Sequence, residues 1–320
     1  MVRIVFPWIR IFIYEMNKKI RHILHVIKCK LLYENRIIPS IYSFLSRLRL
    51  IKPYMIIYVD GGICSQMHQY LLGRYYAEKG MHVAYDLGWY LRNGMDNNGI
   101  FERRFEFTEM WPDLPFKVAS SEMVTFYNRV FQVKRNGMHF PLDVLPPKYF
   151  GGYYFFDDNT EYGRFFMNTF SLSKSTQPVK VELIDDWTGT RCAVHVRRGD
   201  LARMDDCFYG KVTIEYFKNA LDYVKSRFDE VKFFFFSDEL DWVEQNLIQC
   251  VCNNEYELMK GNKAWEDLAL MAHCDCFISS QGSAGKVAAL MKGKGLLIIP
   301  NDPHDLSWKE RYGNVLVIDN

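Results

Sequence analysis

In Arg191-Cys-Ala-Val-His-Val-Arg-Arg-Gly-Asp200 a short apolar run, broken only by His195, gives way to two arginines, a glycine and an aspartate. A run of that length bounded by charged and turn-forming residues reads as a buried strand over 191–196 and a loop over 197–206. Residues 213–227 follow with Ile214, Phe217, Leu221 and Val224 at helical spacing. Lys232-Phe-Phe-Phe-Phe236 is apolar at every position after the lysine, as a strand buried on both faces is, and Ser237-Asp238 closes it before a helix over 239–247. A helix over 264–272, a strand over 276–279, a helix over 282–291 and a strand over 295–299 continue the alternation. Strand and helix in turn imply a parallel, doubly wound sheet, and such sheets bind ligands outside the carboxyl ends of their strands. His195 to Asp200, Ser237-Asp238 and Ser279-Ser-Gln-Gly-Ser283 all fall at those ends.

Upstream, a strand over 55–60, the pair Gly61-Gly62, a helix over 65–79 and a strand over 82–86 start a second α/β unit. Residues 88–180 are rich in aromatics, Pro and Gly and show no clear period. The expectation is an α/β protein of two Rossmann-like lobes with a cleft between them: a lobe over 53–185 on the acceptor side, a donor-binding lobe over 186–320, and an arm over 1–52.

The arm carries most of the charge asymmetry. Eleven lysines and arginines precede Asp60 against Glu15 and Glu34, although the whole chain has a net charge of only +2. Residues 17–33 and the stretch after Pro39 place apolar side chains at helical spacing among these cations, the pattern of helices that lie on an anionic membrane surface. Residues 1–14 are interrupted by Arg3, Pro7 and Arg10, too short and charged for a span. The arm lacks the interleaved aromatic and basic residues of nucleic-acid modules, so no nucleic-acid partner is expected. Eight cysteines with no cleavable leader and no glycosylation sequon point to a reduced cytoplasmic setting, with peripheral contact on the inner face of a membrane.

Arg197 and Arg198 follow a buried strand, so at least one guanidinium reaches the cleft, where its fork matches two phosphate oxygens. The same pair would also fit a salt-bridged loop. Asp200 would orient a group in that loop. Ser280, Gln281, Gly282 and Ser283 lie between a strand and a helix, where backbone N–H groups hold phosphate, although a plain turn reads alike. Asp238 suits a ribose hydroxyl, a guanine N–H or a helix cap. His273-Cys-Asp-Cys276 has metal-ligand residue types, but Cys-x-Cys before Phe277-Ile278 reads as a strand entering the core. No Asp-x-Asp triplet occurs, and neither a metal nor another cofactor is expected.

Taken together and in order, Gly61-Gly-Ile-Cys-Ser-Gln-Met-His-Gln-Tyr70, Arg104-Phe-Glu-Phe107, His195 to Asp200, Phe236-Ser-Asp-Glu239 with Trp242, and Asp267-Leu-Ala-Leu-Met271 with Cys274 resemble the α-1,2-fucosyltransferases, glycosyltransferase family 11. The resemblance implies a GT-B-like fold, GDP-fucose as donor, a galactoside acceptor, inversion at the anomeric carbon and no metal. It implies that Arg198 contacts the pyrophosphate, with His195, Arg197 and Asp238 about the donor, and that Gly61, Gly62, Ser65 and Gln66 lie near the sugar. His68, Asp200 and His195 are the candidates for the base that an inverting transfer needs. The chain departs from the family at Cys64-Ser65, where Gly-Asn is usual, and at Ser280 to Lys286, which replaces an Asn-Ser-Ser-Phe-Ser-Trp-Trp stretch. Those departures leave open a different nucleotide sugar, or a relative that binds GDP or glycan without catalysis.

Overall fold

The computed structural model describes residues 20–23, 37–92, 94–95, 102–133, 143–151, 159–199, 212–251, 254–303 and 305–319. Residues 1–14 and most of the helix expected over 17–33 lie outside them. Helix α1 (Ile37–Arg47) is the second helix expected in the arm. Its Tyr42 hydroxyl lies 2.7 Å from that of Tyr127, and the ring packs on Phe126 and Phe131. Ile41 and Phe44 on its other side are exposed. No helix among the described residues is long and apolar enough to cross a membrane.

The first α/β unit is a three-stranded parallel sheet, β1 (Tyr54–Tyr58) between β2 (His82–Asp86) and β3 (Lys148–Phe150). Helix α2 (Ile63–Glu78) follows Gly61-Gly62, the first of which takes φ 73°, a value that favours glycine. The span without a period, 88–180, holds α3 (Ser121–Val130), β3 and α4 (Asn159–Thr169) joined by loops. The short helical turn Phe107–Met110 and the loop after it deliver rings to the core: Tyr70 stacks on Phe107 at 4.5 Å and Tyr85 on Phe116 at 4.2 Å. Such aromatic contacts hold irregular backbone in place without a repeating pattern.

The second unit runs β4 (Thr190–Val196), α5 (Ile214–Arg227), β5 (Val231–Ser237), α6 (Leu240–Asn246), β6 (Glu255–Leu258), α7 (Ala264–His273), β7 (Cys276–Ser279), α8 (Ala284–Lys292), β8 (Leu296–Pro300), α9 (Trp308–Tyr312) and β9 (Val315–Ile318). Thr213 starts α5 by accepting from the Tyr216 N–H at 3.2 Å. The six strands are parallel and lie in the order β6-β5-β4-β7-β8-β9. Period-two alternation divides the phenylalanines of β5: Phe233 and Phe235 face α5 and α6, while Phe234 and Phe236 join the core shared with α7, α8 and the first unit. Cys276 enters the core as the first residue of β7, and Asp275 before it pairs with Arg191 at 2.8 Å.

The units form the GT-B-like arrangement, two parallel α/β layers across a cleft, and one apolar cluster runs through both. Helix α4 lies at their junction. Its Tyr162 and Phe166 pack on His68 of α2, while a Cβ on Gly163 would sit 1.9 Å from the Arg311 carbonyl oxygen of α9, so only glycine permits the crossing.

Candidate active site

Strand β4 is the point at which the sheet order reverses, because its neighbours β5 and β7 continue in opposite directions. A crevice opens at such a switch point, outside the carboxyl ends of the strands. Here it is part of a cleft of about 790 Å³. Asp60, Gly61, Gly62, Cys64 and Ser65 line it from the first unit, and His195, Arg197, Asp238, Asn262, Asp267 and Ser283 from the second.

The loop after β4 is tied on both sides. Ser280 Oγ accepts from the Arg197 N–H at 2.7 Å, and the Ser280 N–H donates to the His195 carbonyl at 3.0 Å. Ser237 Oγ donates to the Val196 carbonyl at 2.7 Å. Asp238 accepts from the Arg198 N–H at 2.9 Å with one oxygen and pairs with the Arg197 guanidinium through the other. Both of its oxygens therefore brace the arginine loop, and the residue lines the cleft.

The two arginines part company. Arg197 lines the cleft. Arg198 stacks 4.0 Å over the Trp242 ring, and its Nε donates to Glu239 at 3.1 Å; it is not among the lining residues. Strand alternation explains the choice. His195 lines the cleft, so Arg197, two residues on, shares its side and Arg198 takes the other. Of the two arginines, Arg197 is the one that faces the cleft. Asp200 lies outside the described residues.

Ser283 is the N-cap residue of α8 and Gly62 that of α2, and neither makes a side-chain cap hydrogen bond. Both open on the cleft. Each presents unsatisfied N–H groups and the positive end of a helix dipole, the features that hold phosphate. Gly282, at φ 91°, keeps the approach to α8 clear: a Cβ there would meet nothing nearer than Arg197 Cγ at 3.8 Å. Ser280 and Gln281 are buried behind this surface and do not line it, so their part is to shape the loop. Lys286 is also withdrawn, paired with Asp305 and donating to the Gly282 carbonyl at 2.7 Å.

Burial and the charges of Arg197 and Lys286 push the His195 imidazole down to about 3, so it is neutral at pH 7 and too weak a base to take a proton from an alcohol. Its Nδ1 is buried with no partner among the described residues. Burial pushes the Asp267 carboxyl up to about 6, offset in part by Asn262, whose Nδ2 donates to it at 2.7 Å. Burial likewise raises the Cys64 thiol to about 12, so it is no nucleophile at neutral pH.

A sequence profile of glycosyl transferase family 11 matches residues 120–312, well over half of the chain. This chain is a member of glycosyl transferase family 11. The α-1,2-colitosyltransferase of Escherichia coli is 27% identical over 124 residues, which cover 37% of this chain and 41% of that protein. The alignment thus spans less than half the length of that relative. Among solved structures, a family 9 glycosyl transferase from Veillonella parvula aligns over 84% of this chain and 86% of its own at 10% identity and a TM-score of 0.44. The NodZ α-1,6-fucosyltransferase soaked with GDP-fucose aligns over 75% and 93% at 13% identity and a TM-score of 0.41.

Two further expectations for this family 11 member are corrected by α2. His68 is not on the cleft: its Nδ1 meets the Tyr162 hydroxyl, and burial with the charge of Arg311 pushes its imidazole down to about 3. Gln66 points away from the cleft as well. Its Oε1 accepts from the N–H groups of Glu106 and Phe107, both at 3.0 Å, and its Nε2 donates to the Arg104 carbonyl at 2.8 Å. Gly61, Gly62 and Ser65 do line the cleft. Two carboxylates on it, Asp60 and Asp267, were not singled out as site residues by the sequence, although Asp60 ends the first strand and Asp267 opens the motif Asp267 to Met271.

Proposed function

We propose that this family 11 enzyme is an inverting, metal-independent transferase that moves L-fucose from GDP-fucose to a hydroxyl of a galactoside acceptor, forming an α-1,2 linkage. One observation carries the reading: the Arg197 guanidinium and the uncapped N-terminus of α8 lie together on the cleft at the switch point. That set matches a diphosphate. It would also stabilise the charge gained by the departing GDP, the task a divalent cation performs in other transferases. Asp267 and the neutral His195, both on the cleft wall, have the hydrogen-bonding character to meet a guanine edge. The sugar would then lie toward Gly61, Gly62 and Ser65.

The test is GDP release from GDP-fucose, GDP-colitose, GDP-mannose and UDP-sugars with a panel of galactosides, with and without EDTA. GDP-fucose should be the preferred donor, with EDTA changing the rate by less than about twofold. Preference for another sugar, loss of activity in EDTA, or GDP binding with no donor turned over would each overturn the proposal.

The reading extends to a site of action on the inner face of a membrane, in the cytoplasm. Helix α1 and the residues after it expose Ile41, Phe44, Leu48 and Leu50, the last at 68%, beside the exposed cations Arg47, Arg49 and Lys52. Apolar side chains amid cations suit an anionic lipid surface. The double variant Ile41→Asp, Phe44→Asp should lose co-flotation with anionic vesicles at least about tenfold and keep its rate on a soluble acceptor. Equal flotation of variant and wild type would remove α1 from the proposal.

A further inference from the structure

We propose that Asp60 is the general base that takes the proton from the acceptor hydroxyl. The inference rests on the inverting reading given above and names the group that reading lacks.

Its place in the cleft argues first. Inversion requires the acceptor oxygen to approach the anomeric carbon from the side opposite the departing diphosphate. Arg197 and the N-terminus of α8 belong to the second unit, so the acceptor enters along the first. Asp60 lies on that wall, just beyond the carboxyl end of β1.

Its fixation argues next. Gln69, inside α2, donates from Nε2 to Asp60 Oδ1 at 2.6 Å and accepts from the Asp60 N–H at 3.1 Å. One buried amide thus locks the side chain to its own backbone. Oδ2 has no hydrogen-bond partner among the described residues. A base held by one oxygen and open at the other is oriented without being neutralised.

The other described carboxylates near the cleft are engaged or stand on the opposite wall. Asp238 braces the arginine loop and Glu239 holds Arg198. Asp267 is on the donor unit beside Asn262. Asp86 accepts from the Tyr149 hydroxyl at 2.7 Å and from the Gly88 N–H at 2.8 Å, and does not line the cleft. Burial also raises the Asp60 carboxyl above the usual carboxylate range, with Gln69 partly offsetting it, and so strengthens it as a base. Tyr58, the titratable neighbour on β1, is raised by its own burial and by the charge of Asp60, and stays neutral near pH 7. Arg103 and Arg197 are the cations on the cleft wall.

In the step, the acceptor O–H bond breaks and its proton passes to Asp60 Oδ2. The acceptor oxygen bonds to the anomeric carbon. The bond from that carbon to the β-phosphate oxygen breaks, and its electron pair leaves on GDP. Asp60 then returns the proton to solvent.

The experiment compares Asp60→Asn, which keeps the size and the contact to Gln69, with wild type on whichever nucleotide sugar the wild type turns over; the donor screen itself decides the parent reading separately. The variant should bind GDP within about twofold of wild type, melt at the same temperature and lose about 10²–10⁴-fold in kcat. Its acidic limb in the pH–rate profile should disappear. Azide attacks without losing a proton, so it should restore GDP release to Asp60→Asn and not to Arg197→Ala. A kcat within about threefold of wild type, an unchanged acidic limb, or a slow variant that azide does not rescue would each overturn the assignment.

Discussion

Arg197→Ala should lower sugar transfer by about 10²–10³-fold, the cost of removing one preorganised donor from developing negative charge, and Arg198→Ala by less than about tenfold. Arg197 is on the cleft wall with the N-terminus of α8, where the proposed reaction would build charge on the departing diphosphate. Its loss also releases an Asp238 oxygen from its ion pair and leaves an anion facing the phosphates. Arg198 acts at one remove: stacked on Trp242 and bonded to Glu239, it holds the far side of the loop in place. Steady-state kinetics with GDP affinity measured by calorimetry separate the two. Arg197→Ala should fail in kcat and in GDP binding together, and the double variant with Asp238→Asn should recover part of the binding by removing the exposed anion. If Arg198→Ala proves the more damaging, the assignment of the phosphate-facing guanidinium is wrong.

Strand alternation made that choice readable in advance. Once His195 is placed toward the cleft, the period of two sends Arg197 with it, yet family resemblance alone favoured its neighbour. The second sheet was legible for the same reason: its central strands are continuous apolar runs between helices of regular period. The strands left unread, β6 and β9, are the two edges of that sheet, where Glu255 and Tyr256 are exposed and every residue of β9 is only half-buried. Partial burial removes the apolar run that marks a central strand. In the first unit the difficulty was different. Residues 102–133 and 143–151 are held largely by ring contacts between loops and helices, and such contacts carry no repeat.

Sequence reasoning fared least well on α2. Gly62 and Ser65 reach the cleft, but a helix rises about 1.5 Å per residue and turns about 100° at each, so neighbours in sequence face different surroundings. Gln66 turns toward the loop 104–107 and His68 toward α4. Asp60 and Asp267 escaped notice because their signal is burial of a carboxylate, which depends on what the fold packs over it.

Gln66→Leu should destabilise the protein by about 3–5 kcal/mol, although it replaces a buried side chain with an apolar one of similar size. Gln66 is 1% exposed and serves four backbone groups at once, the carbonyls of Gly61 and Arg104 and the N–H groups of Glu106 and Phe107. Leucine serves none, and each buried group left without a partner costs about 1–3 kcal/mol, less whatever water recovers. The loop so held is also the strap between the units. Glu106 accepts from the Trp265 N–H at 3.0 Å at the start of α7, and Glu109 pairs with Lys263 at 2.5 Å. Helix α7 carries Asp267, so slackening the strap shifts one wall of the donor site against the other. Urea unfolding should therefore show a lower midpoint, and GDP affinity should fall even though Gln66 does not line the cleft. Ser65→Ala, one residue away but on the cleft wall, should change stability by less than about 0.5 kcal/mol. A loss below about 1 kcal/mol in Gln66→Leu would mean that the loop finds other partners, and that Gln66 does not join the first unit to the second.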